Sequence, residues 1–519
     1  MMSMRPILSV VVLLAIATVP ARAQFADQSR RAKLSTAFAE IDRIVADFAT
    51  RQHVPGAVWG IVIDGELAHS GAHGFRELAT KSPVNTDTVF RIASMTKSFT
   101  AMAILKLRDE GKLALDGPAE RYVPELKGLT YPTQDSPRIT IRHLLSHAEG
   151  FPEDNPWGDR QLARSDREMA EMMRRGIPFS NAPGLAYEYS NYGFAILGRI
   201  VANVSRMPYR DYIAANILRP LGMSATTLEP SAVPKDRLAL GYRWEDNRWK
   251  DEPLLADGAF GAMGGMLTSM RDLSRYVAAF LAAWPARDDP ETGPIRRSSL
   301  REMQQISRPR LAFAGRDSAT GAGQLNSGGY GFGLGITQTC AFDHIVAHGG
   351  GLPGFGSIMR WLPDYGVGII AFGNLTYTGW GRTTDLAIEQ LAKTGGLRRR
   401  LVTPSRALVE ARDAVTRLVM QWDDALADRI AAENLFLDIA KERRREEIAA
   451  ARATVGDCTG NGPFDVENAL RGQWAMTCER GKLRVAITLA PTIPPTVQFL
   501  QVTPMALSDE LPVRSSCAP

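Results

Sequence analysis

The sequence has few residues of the kinds that hold metal ions or bind nucleic acids. Of its 519 residues only seven are histidine and four are cysteine. The cysteines lack the short spacing of a structural zinc site, so we expect no metal and no cofactor. The formal net charge is only +5, and no basic patch alternates with aromatic residues. Nucleic-acid binding is therefore not expected.

A long hydrophobic run is missing after the first twenty residues. Residues 7–16 are apolar, follow a short start that contains Arg5, and precede an Ala-Arg-Ala sequence at 21–23. This order is typical of a secretory signal, and the apolar run is too short to cross a bilayer. We therefore expect residues 1–23 to be a signal peptide cut after Ala23. The mature chain would have no transmembrane segment and would be secreted or periplasmic.

The small number of cysteines still permits disulfide bonds, since an exported protein meets an oxidising environment. Cys340, Cys458, Cys478 and Cys517 allow three complete pairings, and the sequence does not choose among them. The pair that we favour is Cys458 with Cys478, because these two would close a short loop within one region.

The hydrophobic pattern predicts an α+β fold for most of the chain. A helix is expected over 32–52, followed by a hairpin of two strands, 57–63 and 66–71, around the turn dipeptide Asp64-Gly65. Further strands are expected at 329–336, 345–348, 357–362 and 366–371, with a mostly helical region between the two groups. This order predicts an antiparallel sheet that is assembled from both ends, is flanked by helices and carries an inserted helical region.

The pattern changes near residue 399. A basic segment at 397–400 is followed by a charged helical stretch over 405–453 and by alternating strand patterns at 482–489 and 496–503. We therefore expect a main domain over 24–398 and an accessory domain over 399–519. The accessory domain would consist of a helix, 405–453, and a β-rich part, 454–519. Nothing in its sequence identifies a partner.

Ser94 and Lys97 form a Ser-x-x-Lys pair at the start of a run that is apolar nearly all round. In a helix, residues three apart lie on one face, so the hydroxyl and the amine can meet. A lysine in an apolar setting has a lowered pKa and can then help to remove the serine proton. By itself the pair is weak evidence, because roughly two such pairs are expected by chance in a chain of this composition.

Two further motifs follow the Ser-x-x-Lys pair. They are Tyr189-Ser190-Asn191 and His348-Gly349-Gly350, and each alone could be a core aromatic residue or a turn. In this order the three motifs resemble the serine hydrolases of the class C β-lactamase type. That family also includes D-alanyl-D-alanine carboxypeptidases, D-aminopeptidases and lactamase-like esterases. The resemblance covers roughly residues 33–395, and it implies a β-lactamase-like fold.

The resemblance implies three catalytic residues. Ser94 would attack a carbonyl carbon and become acylated. Lys97 and Tyr189 would share the proton transfers, with Tyr189 either stabilised as a phenolate by nearby cations or relaying protons through Lys97. Since an ordinary tyrosine has a pKa of about 10, a phenolate would need such electrostatic help at neutral pH.

The resemblance also implies residues that bind the substrate. Asn191 would contact Lys97 and the substrate amide, and His348 and Gly350 would lie on the strand that carries the third motif. The backbone N–H groups of Ser94 and Gly351 would form the oxyanion hole. Many β-lactamases have Lys-Thr-Gly as the third motif, whereas His348 is mostly neutral at pH 7 and is a weaker anchor for a carboxylate. A His-x-Gly motif is closer to that of some DD-peptidases and D-aminopeptidases.

These patterns predict an exported, metal-independent serine hydrolase that acts through an acyl-enzyme on Ser94. Its expected substrates are small molecules or peptides with amide bonds, D-amino-acid peptides being favoured, as for a DD-carboxypeptidase or a D-aminopeptidase. One alternative is a lactamase-like esterase or a class C-type β-lactamase that uses the same serine. Another is a penicillin-binding sensor with slow turnover, an idea that the accessory domain motivates.

Overall fold

The computed structural model describes residues 24–155, 157–316 and 323–511. The predicted signal peptide and Cys517 lie outside these ranges. Among the helices within them, none combines the length and the apolar character that crossing a membrane requires.

The strands that the structure describes within the first 400 residues form one large sheet and two small pairs. In chain order they are β1 (Gly56–Ile63), β2 (Glu66–Glu77), β3 (Ser82–Pro83), β4 (Val89–Arg91), β5 (Gly241–Glu245), β6 (Arg248–Glu252), β7 (Leu267–Ser269), β8 (Arg308–Arg316), β9 (Gly323–Tyr330), β10 (Gly335–Thr339), β11 (Ile345–Leu352), β12 (Phe355–Leu362) and β13 (Val367–Gly373). Within the described residues the large sheet has nine strands in the order β3-β2-β1-β13-β12-β11-β10-β9-β8. Its neighbouring strands are antiparallel, and β1 pairs with β13 from Ala57 opposite Gly373 to Ile63 opposite Val367. The predicted sheet built from both ends of the domain is therefore confirmed.

Helices cover both faces of this sheet. In chain order they are α1 (Arg30–Ser35), α2 (Phe38–Arg51), α3 (Thr96–Asp109), α4 (Ile141–Leu145), α5 (Asp166–Arg175), α6 (Asn191–Ser205), α7 (Tyr209–Ile213), α8 (Gly261–Gly264), α9 (Met270–Ala282), α10 (Arg297–Met303) and α11 (Gly381–Lys393). The terminal helices α2 and α11 pack on one face, while α9 packs on the other. Val58 and Val62 of β1 join the core on the α9 side, and Trp59 and Ile61 join the core on the α2 side. This alternation with period two is what a strand buried on both faces requires.

The predicted hairpin is found in the structure, whereas one predicted helix and one predicted strand are each divided in two. The predicted hairpin is present, and its turn residues Asp64 and Gly65 have φ angles of 53° and 87°, as a two-residue type I′ turn needs. The helix expected over 32–52 is instead divided into α1 and α2. The single strand expected over 329–336 is wrong, because the chain turns between β9 and β10, where Gly333 has a φ of 68°. A glycine adopts this conformation at no steric cost.

Residues 406–505 form a second group of elements with its own core. They are α12 (Arg406–Met420), α13 (Asp424–Ile430), α14 (Leu435–Asp438), α15 (Lys441–Val455), β14 (Cys458–Asn461), β15 (Asp465–Asn468), β16 (Arg471–Cys478), β17 (Lys482–Leu489) and β18 (Val497–Met505). The five strands form one antiparallel sheet, and its core surrounds the fully buried Trp474. The favoured disulfide between Cys458 and Cys478 is present. The domain boundary near residue 399 stays a prediction.

The single helix expected over 405–453 is wrong, because four helices occupy that stretch. The first one ends where Gln421 adopts an extended backbone. Asp423 then caps the next helix, since its side chain accepts a hydrogen bond from the backbone N–H of Leu426. Such a cap satisfies an N–H group that has no partner within the helix. It therefore starts a new helix rather than continuing the old one.

Candidate active site

Ser94 lies in the tight connection between β4 and α3. The 3-10 turn Ala93–Met95 leads directly into α3, and Ala93 has a φ of 49°, which is uncommon for a residue other than glycine. Two hydrogen bonds fix Ile92, two residues before the serine. Its N–H donates to Met266 O at 3.0 Å, and its carbonyl oxygen accepts from Ser357 Oγ at 2.9 Å. The serine is 9% exposed. It is therefore held at the helix start, as expected from the sequence, with its surroundings fixed by distant segments.

Lys97 is fully buried beneath Ser94. Its Nζ atom lies 3.1 Å from Ser94 Oγ, 2.6 Å from Asn191 Oδ1 and 2.8 Å from Met263 O. Burial lowers the pKa of this lysine from 10.5 to about 7, against the opposing effect of the carboxylates of Asp159 and Asp154. Neutral lysine is therefore available near pH 7, in hydrogen-bond contact with the serine hydroxyl. That is the arrangement that a serine–lysine nucleophile needs.

Tyr189 also approaches Ser94, but in a different state from the phenolate that we expected. Its hydroxyl hydrogen-bonds to the Ser94 side chain, and burial raises the pKa of the tyrosine well above 10. Lys97 Nζ lies 4.8 Å from the centre of the tyrosine ring, yet desolvation has the larger effect on the phenol. The expectation of a cation-stabilised phenolate is therefore wrong. A neutral hydroxyl can still pass a proton between Ser94 and Lys97.

Asn191 is the first residue of α6, and its orientation is set by a loop that the sequence analysis did not identify. The Asp154 carboxylate accepts the backbone N–H groups of Asn191 at 2.6 Å and of Tyr192 at 2.8 Å, a favourable position for an anion at a helix N-terminus. The Asn191 side-chain amide donates to Asn155 Oδ1. Its own Oδ1 is thus directed at Lys97. Because Asn191 is fully buried, it holds the lysine in place from behind the cleft.

Gly350 of β11 is packed against the segment that carries Ser94. A Cβ atom at this position would lie 2.1 Å from Ile92 O and 2.4 Å from Ser357 Oγ, so only glycine fits there. The close approach brings β11 alongside the Ser94 turn and places Gly351 on the wall of the cleft. The structure thus brings together the residues that were expected to supply the two oxyanion N–H groups.

His348 is held internally by both of its ring nitrogens. Nδ1 lies 2.6 Å from Gly349 O, and Nε2 lies 2.9 Å from Tyr330 Oη. A carbonyl oxygen only accepts, so Nδ1 carries the proton and Nε2 accepts from the tyrosine hydroxyl. Burial, together with the charges of Lys97 and Arg310, lowers the pKa of His348 to about 3. The third motif therefore supplies a neutral histidine, and no permanent charge comes from that position.

The residues that line the catalytic cleft include several that were not expected. The cleft has a volume of about 410 Å³ and is lined by Ser94, Asn155, Asp159, Tyr189, His348, Gly349, Gly351 and Tyr377. Asp159 is 3% exposed, and its Oδ2 accepts a hydrogen bond of 3.0 Å from Tyr377 Oη. Its Oδ1 has no hydrogen-bond partner within the described ranges. Neither residue belongs to a recognisable spacing pattern, so no sequence signal would have identified them.

No group of three or more histidine, cysteine, aspartate or glutamate side chains within 24–155, 157–316 and 323–511 is arranged to hold a metal ion.

Comparisons with known proteins agree with this site and this fold. Residues 41–393 match the model of the family described as Beta-lactamase. Protein flp of Staphylococcus aureus (strain COL) is 28% identical over 342 residues, which are 65% of this chain and 63% of that protein. Penicillin-binding protein 4* of Bacillus subtilis (strain 168) is 27% identical over 331 residues, which are 60% of this chain and 66% of that protein. The match thus spans less than two thirds of the length of either relative.

Two solved structures share the fold. The octameric penicillin-binding protein homologue from Pyrococcus abyssi superposes with a TM-score of 0.58 at 21% identity, over 90% of each chain. A class C beta-lactamase superposes with a TM-score of 0.54 at 18% identity, over 69% of this chain and 96% of that one. At these identities the likeness concerns the fold alone.

Proposed function

Because this chain belongs to the Beta-lactamase family of serine hydrolases, as its motifs predicted, we propose that it is an exported enzyme that cleaves amide or peptide bonds through an acyl-enzyme on Ser94. The observation that carries the proposal is the contact of 3.1 Å between Lys97 Nζ and Ser94 Oγ. It joins a nucleophile to a buried amine whose pKa is about 7. A general base is most effective when its pKa lies near the working pH.

Acylation begins when Ser94 Oγ forms a bond to the substrate carbonyl carbon. The hydroxyl proton moves to Lys97 Nζ, either directly or through the neutral hydroxyl of Tyr189. The electron pair of the C=O bond moves to the oxygen, where the N–H groups of Ser94 and Gly351 would each stabilise the charge by on the order of 3 kcal/mol. The leaving nitrogen then takes a proton from the Lys97–Tyr189 pair as its bond to carbon breaks.

Deacylation uses the same groups in the reverse direction. A water molecule gives a proton to the Lys97–Tyr189 pair while its oxygen bonds to the acyl carbon. The bond between that carbon and Ser94 Oγ breaks, and the serine oxygen recovers its proton. Asn191 supports both steps, because its Oδ1 lies 2.6 Å from Lys97 Nζ and holds the amine towards the serine.

Two features support amides and D-amino-acid peptides over β-lactams as substrates. His348 is neutral, so the third motif lacks the permanent cation that would hold a β-lactam carboxylate. The His-x-Gly sequence also resembles that of DD-peptidases and D-aminopeptidases. The charge of Arg310 on β8 acts on His348, and its guanidinium carbon lies 5.2 Å from the centre of the Tyr187 ring. A lactamase-like esterase or a class C-type β-lactamase remains the alternative for the same serine.

The separate core of residues 406–505 supports the second alternative, a penicillin-binding sensor with slow turnover. An added group of elements with its own sheet is suited to binding a partner or a second ligand. The Cys458–Cys478 disulfide supports the proposed export, because such bonds persist in oxidising compartments.

The proposal is tested by intact-protein mass spectrometry with benzylpenicillin and with a fluorophosphonate. Wild type is compared with Ser94→Ala and with Ser35→Ala, a control at an exposed serine of α1. We expect the fluorophosphonate to label wild type and the control but not Ser94→Ala. A long-lived penicilloyl adduct would support a DD-peptidase or a sensor, and a transient adduct with released penicilloate would support a β-lactamase.

The absence of a penicillin adduct would leave amides and esters as the candidate substrates. These are tested with D-amino-acid amides and with short p-nitrophenyl esters. If the fluorophosphonate does not label Ser94 and no substrate turns over, the proposed function is refuted.

A further inference from the structure

Asp159 is a buried carboxylate on the wall of the catalytic cleft, and the acyl-transfer steps do not use it. Tyr377 donates a hydrogen bond to Oδ2, whereas Oδ1 has no hydrogen-bond partner within the described ranges. Leaving a buried carboxylate oxygen without a partner costs free energy. The terminal torsion of an aspartate side chain is broad, so the carboxylate can turn its unpaired oxygen towards a ligand in the cleft.

Tyr377 lies between Asp159 and β11, the strand that carries Gly351. A Cβ atom at Gly351 would lie 2.8 Å from a ring carbon of Tyr377, so the ring lies against the residue expected to bind the oxyanion. The tyrosine hydroxyl then reaches Asp159. His348 is three residues back along β11, roughly 10 Å away at the rise of an extended strand. The cleft thus has an Asp159 end and a His348 end.

The charges of the cleft differ between these two ends. Burial lowers the pKa of His348 to about 3 and raises that of Tyr377 to about 12, so both are neutral at pH 7. Tyr189 is neutral as well. Among the cleft-lining residues that the structure describes, Asp159 is the one with a carboxyl group. Burial raises its pKa, while the charge of Lys97 and the hydrogen bond from Tyr377 act in the opposite direction and favour the carboxylate. In a cleft of low dielectric an ionised carboxylate attracts a cation, and an ammonium group bound beside it would favour the ionised form further.

We propose that Asp159 and Tyr377 form an ammonium-binding subsite on the acyl side of the scissile bond, so that the preferred substrates are peptides and amides with a free terminal ammonium group. The inference rests on the proposed function and makes the enzyme an aminopeptidase. The carboxylate accepts from the ammonium group, whose three N–H donors match its acceptor oxygens. Tyr377 is 45% exposed, and an aromatic ring next to the carboxylate can add a cation–π contact with the same ammonium group.

The test compares p-nitroanilides of alanine that have a free amine with the same compounds N-acetylated, in both the D and the L series. The readout is the ratio of kcat/KM for the free substrate to kcat/KM for the capped substrate. In wild type we expect the ratio to be about 30 or more, because removing one member of a buried charge pair typically costs at least 2 kcal/mol. Asp159→Asn should bring the ratio close to one, mainly through KM. Tyr377→Phe should lower it by a smaller factor.

Asp288→Asn removes the same charge from an exposed position outside the cleft and should keep the wild-type ratio. All variants are first labelled at Ser94 with the fluorophosphonate, which shows that they are folded. Capped substrates cleaved as fast as free ones by wild type would overturn the subsite. So would an equal loss on both substrates in Asp159→Asn, since that would mean that the carboxylate acts through Lys97.

Two failures are distinguishable. If Ser94 is labelled but neither anilide is cleaved, the ammonium subsite is wrong and the serine hydrolase remains. If Ser94 is not labelled at all, the proposed function and the inference fail together.

Discussion

The lowered pKa of Lys97 leads to a quantitative prediction about pH. The amine is fully buried, and its pKa falls from 10.5 to about 7. Only the neutral amine can accept the Ser94 proton, so the acylation rate should rise with pH and level off above pH 7. The substrate for this experiment should be p-nitrophenyl acetate, because it carries no group that titrates in this range.

The expected magnitude follows from the fraction of neutral lysine. With a pKa of about 7, about half of the enzyme carries neutral Lys97 at pH 7, whereas an ordinary lysine would be neutral in about 0.03% of molecules. Burial therefore raises the reactive fraction by about a thousandfold. Below the pKa the rate should fall about tenfold per pH unit, so the rate at pH 5 should be about one hundredth of the plateau.

Two variants test whether the midpoint of the pH–rate profile reports the titration of Lys97. The carboxylate of Asp159 opposes the effect of burial on the lysine, so Asp159→Asn should move the midpoint to a lower pH. His348 has a pKa of about 3, so His348→Gln should leave the midpoint in place even if it changes the rate. His147 is fully buried, and its ring centre lies 4.2 Å from that of Tyr189. Burial lowers its pKa well below the ordinary value, so His147 does not account for a midpoint near pH 7.

The assay is single-turnover acylation followed by release of p-nitrophenol from pH 5 to pH 9 at constant ionic strength. Ser94→Ala supplies the blank for spontaneous ester hydrolysis, and Lys97→Arg supplies a variant whose side chain stays charged. A flat rate between pH 6 and pH 8, or a midpoint above pH 9, would refute the assignment of Lys97 as the neutral base.

Three further outcomes are expected. Tyr189→Phe should lower kcat for amides by about a hundredfold or more, the usual contribution of a group that transfers protons. Slow fluorophosphonate labelling of Ser94 should persist in this variant. Unchanged turnover would exclude the proton relay through Tyr189. Gly350→Ala should lower the melting temperature by several degrees, because its Cβ atom would overlap Ile92 O and overpacking costs about 1–3 kcal/mol. An unaltered melting curve would contradict the close packing. Replacing both Cys458 and Cys478 by serine should destabilise the second core by about 3 kcal/mol, as expected for a disulfide that spans 20 residues. Urea unfolding followed by circular dichroism would measure the loss. An unchanged urea midpoint would show that the disulfide adds no stability.

The parts of the site that could be predicted are those governed by short spacing or by motif order. Ser94 and Lys97 are three residues apart, and one helical turn is enough to bring them together. The hairpin around Asp64-Gly65 likewise depends on two residues. The order of the three motifs indicated that Tyr189 and His348 would join them, because the family resemblance supplied the long-range arrangement.

Other features could not be read from the sequence, since they depend on contacts between distant segments. Asp159 meets Tyr377 across 218 residues of chain, and neither lies in a recognisable pattern. The single helix expected over 405–453 missed the local capping by Asp423. The expected phenolate of Tyr189 was wrong, because the sequence showed which cations were near but gave no measure of desolvation.

The sequence by itself determined the chemistry that is available: a serine with a lysine on the same helical face, a tyrosine, and a glycine-rich strand that can approach them closely. The tertiary structure decided the protonation states and the direction of each group. Burial makes Lys97 a base near neutral pH and keeps Tyr189 and His348 uncharged. The fold also places Asp159 on the cleft wall, where burial raises its pKa and Lys97 opposes the rise. Desolvation depends on every segment that excludes water from a group, so these states follow only from the assembled fold.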